Sequence, residues 1–127
     1  GNQSETQYIN DFLTKLTIFK QKFDIHIFLV AHPRKMSKKE NGLYDVPTLY
    51  DIAGSANFYN QVDNGITVYR NFETGNSHVY VQKVKFRHIG EIGEATFQYN
   101  LQNGRYNEIG EGENNLPYNF RHKQLEI

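Results

Sequence analysis

Three places in this sequence combine residue types that can do chemistry. The first is His32, which closes an apolar run at residues 25–31 and is followed by Pro33 and then by Arg34, Lys35, Lys38 and Lys39. A histidine at the end of a strand can hydrogen-bond a phosphate or orient a water, and a basic loop beside it can hold a nucleic-acid backbone. The same residues also fit a strand-end histidine next to a solvated loop. The second place is Lys83-Val84-Lys85-Phe86-Arg87-His88-Ile89-Gly90-Glu91-Ile92-Gly93. Lys85 and Arg87 are two apart, which puts both cations on one side of an extended chain. Such a pair can reach a neighbour's site and stabilise charge on a transferring phosphoryl group, or it can deter aggregation at a sheet edge. The third is Pro47-Thr48-Leu49-Tyr50-Asp51-Ile52-Ala53-Gly54-Ser55. Small residues opening a helix at Gly54 and Ser55 can approach a phosphate closely, or simply cap the helix.

The surrounding pattern predicts what must position them. Residues 5–23 place Tyr8, Ile9, Phe12, Leu13, Leu16, Phe19 and Phe23 at helical spacing, and Ser4 with Gln7 fits a capping box that starts the helix near residue 4. Residues 25–31 are almost continuously apolar, as a strand buried on both faces of a parallel sheet would be, and Pro33 stops them. Residues 34–47 read as an exposed basic loop, and a short helix is expected around residues 48–61. Three further strands are expected at residues 65–72, 78–86 and 95–101. Glu73-Thr74-Gly75-Asn76 can turn the first pair as a hairpin, and Asn103-Gly104 is a two-residue turn signal returning the chain through residues 105–109. No internal repeat is evident. A lone parallel-type strand lacks the neighbours it needs, so the sheet reads as incomplete, with an open edge that favours self-association.

Composition narrows the classes. A chain of 127 residues with 38% hydrophobic content makes one domain or a piece of one. Fourteen basic residues balance fourteen acidic ones, so any nucleic-acid contact must come from a local cluster. The absence of cysteine removes disulfides and thiolate metal sites. Neither a membrane span nor a signal peptide is legible, which points to the cytoplasm, and an opening Gly1 without Met implies that the natural protein extends upstream.

In order and spacing, residues 5–109 resemble hexameric replicative DNA helicases of the DnaB type, and more closely the phage primase-helicases and the mitochondrial Twinkle helicase. The likeness lies in Phe28-Leu29-Val30-Ala31-His32-Pro33, in Asp51-Ile52-Ala53-Gly54-Ser55 continuing to Gln61-Val62-Asp63, in Tyr69-Arg70-Asn71, and in Lys85-Phe86-Arg87 before Gly90-Glu91-Ile92-Gly93. The resemblance implies an α/β fold, the C-terminal half of a RecA-like P-loop NTPase domain, in which a partial parallel sheet continues into antiparallel β-hairpins. Residues 1–109 would form that half, and residues 110–127 a polar tail.

The resemblance also implies roles. His32 would be the sensor that couples the γ-phosphate to bound DNA. Arg34, Lys35, Lys38 and Lys39 would line the channel for single-stranded DNA, with Gly54 and Ser55 in a second channel loop. Arg87 would be the arginine finger supplied to the adjacent subunit of a homo-hexamer, Lys85 its companion, and Arg70 a nucleotide-binding residue that falls where phage relatives carry an arginine close to the catalytic glutamate. ATP and Mg2+ would be the parent protein's cofactors. The sequence departs from the family pattern in having no Gly-x-x-x-x-Gly-Lys-Ser/Thr and no apolar strand ending in Asp before the first helix, so this chain alone is expected to be inactive. Ala53 stands where several relatives have arginine. Two other readings stay open: a RecA-like recombinase-type ATPase that does not unwind DNA, and a small non-enzymatic module that binds nucleic acid or protein.

Overall fold

The computed structural model describes residues 4–52 and 55–110. Helix α1 spans Glu5–Phe23, with Ser4 as its N-cap: the Ser4 hydroxyl accepts the Gln7 backbone N–H at 3.2 Å. The helix ends where Asp24 adopts a left-handed backbone, φ 50°, and the Asp24 and Ile25 amides turn back to the Lys20 carbonyl. Lys20 and Lys22 in the last turn face the negative end of the helix dipole.

The expected helix over residues 48–61 is two pieces, a 3-10 turn at Leu49–Asp51 and α2 at Ser55–Gln61. Side-chain amides fasten α2 to α1: Asn57 donates to the Thr6 carbonyl at 3.1 Å, and Gln61 donates to Asn10.

Four strands follow, β1 at Asn64–Arg70, β2 at Asn76–Val84, β3 at Gly93–Asn100 and β4 at Arg105–Ile109, forming one antiparallel sheet in the order β1-β2-β3-β4. The strands expected at residues 65–72, 78–86 and 95–101 are present, each shifted by a residue or two, as is the returning segment at residues 105–109. The first hairpin closes between Asn71 and Asn76, with the Asn71 side chain accepting from the Glu73 and Thr74 amides. The last turn is longer than its Asn-Gly signal suggested. Asn100 pairs with Arg105, so residues 101–104 form the loop, and Gly104 at φ 69° supplies the left-handed position that closes it.

One expectation is corrected. Residues 25–31 form no strand, and the sheet among the described residues is entirely antiparallel. The run pairs with no strand among the described residues, and Phe28 and Val30 are 82% and 87% exposed. A parallel strand exists only through hydrogen bonds to strands on either side, and no described segment supplies them. Residues 34–47 are largely exposed, as expected of a loop, and carry a small hairpin within it. Lys38 and Tyr44 form an antiparallel bridge, the Lys39 amide donates to the Leu43 carbonyl at 2.7 Å, and Gly42 at φ 82° makes the tip of a small hairpin.

This hairpin and the 3-10 turn dock on one face of β1 and β2. The Pro47 carbonyl accepts from Thr67 at 3.1 Å and Gln82 at 2.9 Å, and the Tyr44 carbonyl accepts from the Tyr69 hydroxyl at 3.0 Å. Leu49, one of the two buried apolar side chains among the described residues with Leu13, sits against Gly65 where the ladder carries a bulge. A Cβ at Gly65 would overlap the Leu49 methyls. Gly65→Ala is therefore expected to destabilise the domain by about 1–3 kcal/mol through overpacking, measured as a lower midpoint of denaturant unfolding.

Candidate nucleic-acid and phosphate interface

Apart from Arg70 and those outside the described residues, the expected site residues fall into two groups, one around the hairpin docked on β1 and β2 and one past the end of β2. The first group gathers where the 34–47 hairpin meets the 3-10 turn. Pro33 bridges Ile52, and the Arg34 amide donates to the Asp51 carbonyl at 2.6 Å. The side chains of the same pair meet as well, with Arg34 Nε and Nη2 at 3.0 and 2.9 Å from one Asp51 carboxylate oxygen, Oδ1. The other oxygen, Oδ2, accepts the Thr48 amide at 2.8 Å and the Thr48 hydroxyl at 3.0 Å, and that hydroxyl in turn accepts from the Tyr50 amide. Thr48-x-x-Asp51 is thus a capping box whose carboxylate has a second, tertiary use.

The structure brings the other cations near this junction with different freedom. The Lys38 ammonium lies 5.8 Å from the centre of the Tyr44 ring, and Lys39 pairs with Asp45 at 3.2 Å. Both are used inside the hairpin. Lys35 is exposed and makes no hydrogen bond or ion pair with the described residues, and the same holds for His32. His32 does not close a strand as expected, since residues 25–31 are unpaired; it lies two residues before the Arg34–Asp51 junction. Ser55 opens α2, while Gly54 lies outside the described residues.

The second group lies past the end of β2. The Lys85 amide donates to the Asp63 carbonyl at 2.9 Å, extending the β1–β2 ladder by one step. Its ammonium is 3.4 Å from Asp63 Oδ1, and Asp63 Oδ2 is held by Lys20 of α1. Lys85 is therefore tied to its own chain. Arg87 follows in a turn closed by the Ile89 amide on the Phe86 carbonyl at 3.0 Å, and its exposed guanidinium has no partner among the described residues. The turn breaks the extended geometry that would have set the two cations side by side. Arg70 stands apart at the end of β1, its guanidinium 5.7 Å from the Phe72 ring centre.

The carboxylates that organise both groups, Asp51 and Asp63, were not among the expected site residues. The Thr48-x-x-Asp51 spacing was available as a signal for the first. Nothing in the sequence marks Asp63 as the meeting point of two lysines 43 and 22 residues away.

No protein-family model matches the chain, and no solved structure matches it. Among curated proteins it matches the Twinkle homolog protein, chloroplastic/mitochondrial, of Arabidopsis thaliana, with 38% identity over 111 residues. The chain is a relative of that protein. The match covers 84% of this chain and 15% of the relative, so the chain spans a small part of the relative's length. No helix among the described residues is long and apolar enough to cross a membrane.

Both organising carboxyls are held below the ordinary carboxylate range. For Asp51 the main cause is the Thr48 amide, helped by the Thr48 hydroxyl and Arg34; for Asp63 it is the hydrogen bond from Lys20, then Lys85. A carboxyl whose pKa is lower folded than unfolded adds stability that is present above the unfolded value, about 3.9, and is lost as pH falls through the folded one. The domain is expected to lose stability below about pH 4. Asp51→Asn and Asp63→Asn should each flatten that loss in thermal melts recorded across an acid series.

Proposed function

We propose that this chain is the part of an ATP-driven replicative DNA helicase motor that touches single-stranded DNA and reaches into the adjacent subunit of a homo-hexameric ring. The likeness to the Twinkle homolog carries this reading, because it spans both the Arg34–Asp51 junction and the Lys85–Arg87 turn rather than a single motif. The parent would unwind DNA 5′ to 3′, in the cytoplasmic setting expected from the sequence.

Two features of the geometry support the RecA-like half-domain within this reading. Residues 26–29 and α1 border a cleft of about 410 Å³ that is floored by Ile66, Val81, Val84 and Ile89. The unpaired run at residues 25–31 lies along that cleft with its apolar side chains exposed. Parallel strands from the preceding part of the parent would pair with this run and cover it, turning the unpaired segment into the buried strand that its composition describes. His32 would then stand beyond the carboxyl end of a strand, where ligands of open α/β sheets bind.

ATP and Mg2+ would be gripped mainly outside this chain. No group of His, Asp or Glu side chains among the described residues is arranged to hold a metal ion. What this chain offers instead is cationic. Arg87 is exposed and has no partner among the described residues, so it can approach a neighbour's phosphate without first breaking a bond to them. Lys85 must leave Asp63 to do the same, and that pair is exposed enough on the lysine side to exchange at small cost. When bound, the nucleotide supplies the phosphoryl group whose developing charge such cations stabilise.

Arg87→Ala in the full-length protein is expected to reduce ATP turnover by about 10³-fold or more while nucleotide binding stays close to wild type. Near-normal turnover would remove the finger assignment. Strand displacement on forked DNA checks the unwinding itself: ATP turnover stimulated by DNA with no displaced strand would place the parent with the recombinase-type ATPases.

A further inference from the structure

We propose that Asp51 is a positioning residue of the nucleic-acid interface: its carboxylate fixes the Arg34 guanidinium with its outer edge toward solvent, ready to meet a DNA phosphate. The inference rests on the nucleic-acid reading above, in which Arg34 belongs to a DNA-holding loop; what it adds is the device that orients it.

The two partners are buried very unequally. The Asp51 side chain is 12% exposed and that of Arg34 is 70% exposed. A buried carboxylate must have its oxygens satisfied, and here both are, one by Thr48 and one by Arg34. The exposed guanidinium is under no such requirement. It has five N–H donors in a planar fork, and Nε and Nη2 face Asp51, which leaves the remaining N–H groups on the solvent side.

Both ends of the Arg34 side chain are held. Its backbone amide donates to the Asp51 carbonyl, and the preceding residue, Pro33, bridges Ile52. A long flexible side chain normally gives up rotamer freedom when it binds a ligand. Arg34 has already given it up to Asp51, so a phosphate docking on its outer edge meets a preorganised fork. Since Arg34 and Asp51 cancel in charge, the attraction for an anion at this junction comes from unpaired Lys35 beside them. Orientation and net charge are thus divided between neighbouring residues. The same contacts join the 34–47 hairpin to the 3-10 turn, so the two loops present themselves together.

The experiment is a titration of the full-length protein with fluorescent oligo-dT, repeated over a series of salt concentrations. Arg34→Ala is expected to weaken binding several-fold and to reduce the slope of log affinity against log salt by about one. Asp51→Asn should weaken binding to a similar degree, and the double variant should be no worse than the weaker single one, because both remove the same oriented fork. Arg34→Lys keeps the charge but not the fork, so the salt slope should stay near wild type while affinity remains reduced.

Wild-type affinity in Asp51→Asn, or tighter binding there, overturns the proposal. Should Asp51→Asn not fold, Arg34→Lys decides it, since full affinity in that variant would mean that orientation by Asp51 is irrelevant. A wild-type protein that fails to bind oligo-dT even at low salt would instead overturn the nucleic-acid reading, and this inference with it.

Discussion

Everything that gives this chain a shape hangs on the pairing of β1 with β2. The ladder runs from Asn64 opposite Val84 to Arg70 opposite Ser77, and the basic hairpin, the 3-10 turn and α1 are each tied to it or to its ends. The basic hairpin is held through the Pro47 and Tyr44 carbonyls, which take hydrogen bonds from Thr67, Gln82 and Tyr69. The 3-10 turn is seated because Gly65 has no Cβ and Leu49 can lie against its backbone. At the far end Asp63, one residue before β1, ties α1 through Lys20 and the turn after β2 through Lys85. An antiparallel pair can do this alone, since its hydrogen bonds close between segments joined by a six-residue turn region, Asn71 to Asn76, in the same chain.

The contrast with residues 25–31 explains how far the sequence could be read. Helix α1 was legible to the residue, because an amphipathic period and a Ser4 cap are local properties and the helix satisfies its own backbone. The four strands of the meander were legible to within two residues for a similar reason: turn signals at Gly75 and Gly104 bracket them. The apolar run at residues 25–31 carries an equally clear pattern, but what it encodes is burial by partners, and a segment cannot pair with strands that are not there. Its Phe28 and Val30 stay exposed even though their types describe a core.

The candidate site was legible in its cations and hidden in its anions. Arg34, Lys35, Lys38, Lys39, Lys85 and Arg87 stand out as basic clusters along the chain, yet the structure divides them into those engaged by a carboxylate or ring and those left free. Asp45 takes Lys39, Asp51 takes Arg34 and Asp63 takes Lys85, while Lys35 and Arg87 take no partner among the described residues. That division depends on how the hairpin folds back on itself and where β1 begins, neither of which is a property of residue spacing. Asn41-Gly42 did hold a turn signal of the same kind as Asn103-Gly104, obscured because the flanking residues are charged rather than alternating.

The two groups of cations share no direct contact, and the ladder is what relates them. Asp51 and Arg34 reach β1 through Leu49 on Gly65; Lys85 and Arg87 leave β2 two and four residues past Lys83, the register partner of that same Gly65. A shift of the hairpin that moved Leu49 would press on the bulge at Gly65 and Ile66, two residues from the Asp63 contact that holds Lys85. Under the proposed function, the part that meets DNA and the part that meets a neighbour's phosphate would therefore be joined through the contact of Leu49 with the backbone at one glycine. A linkage of this kind transmits displacement only as far as its packing is tight, which makes the Leu49–Gly65 contact the narrowest point between the two ends.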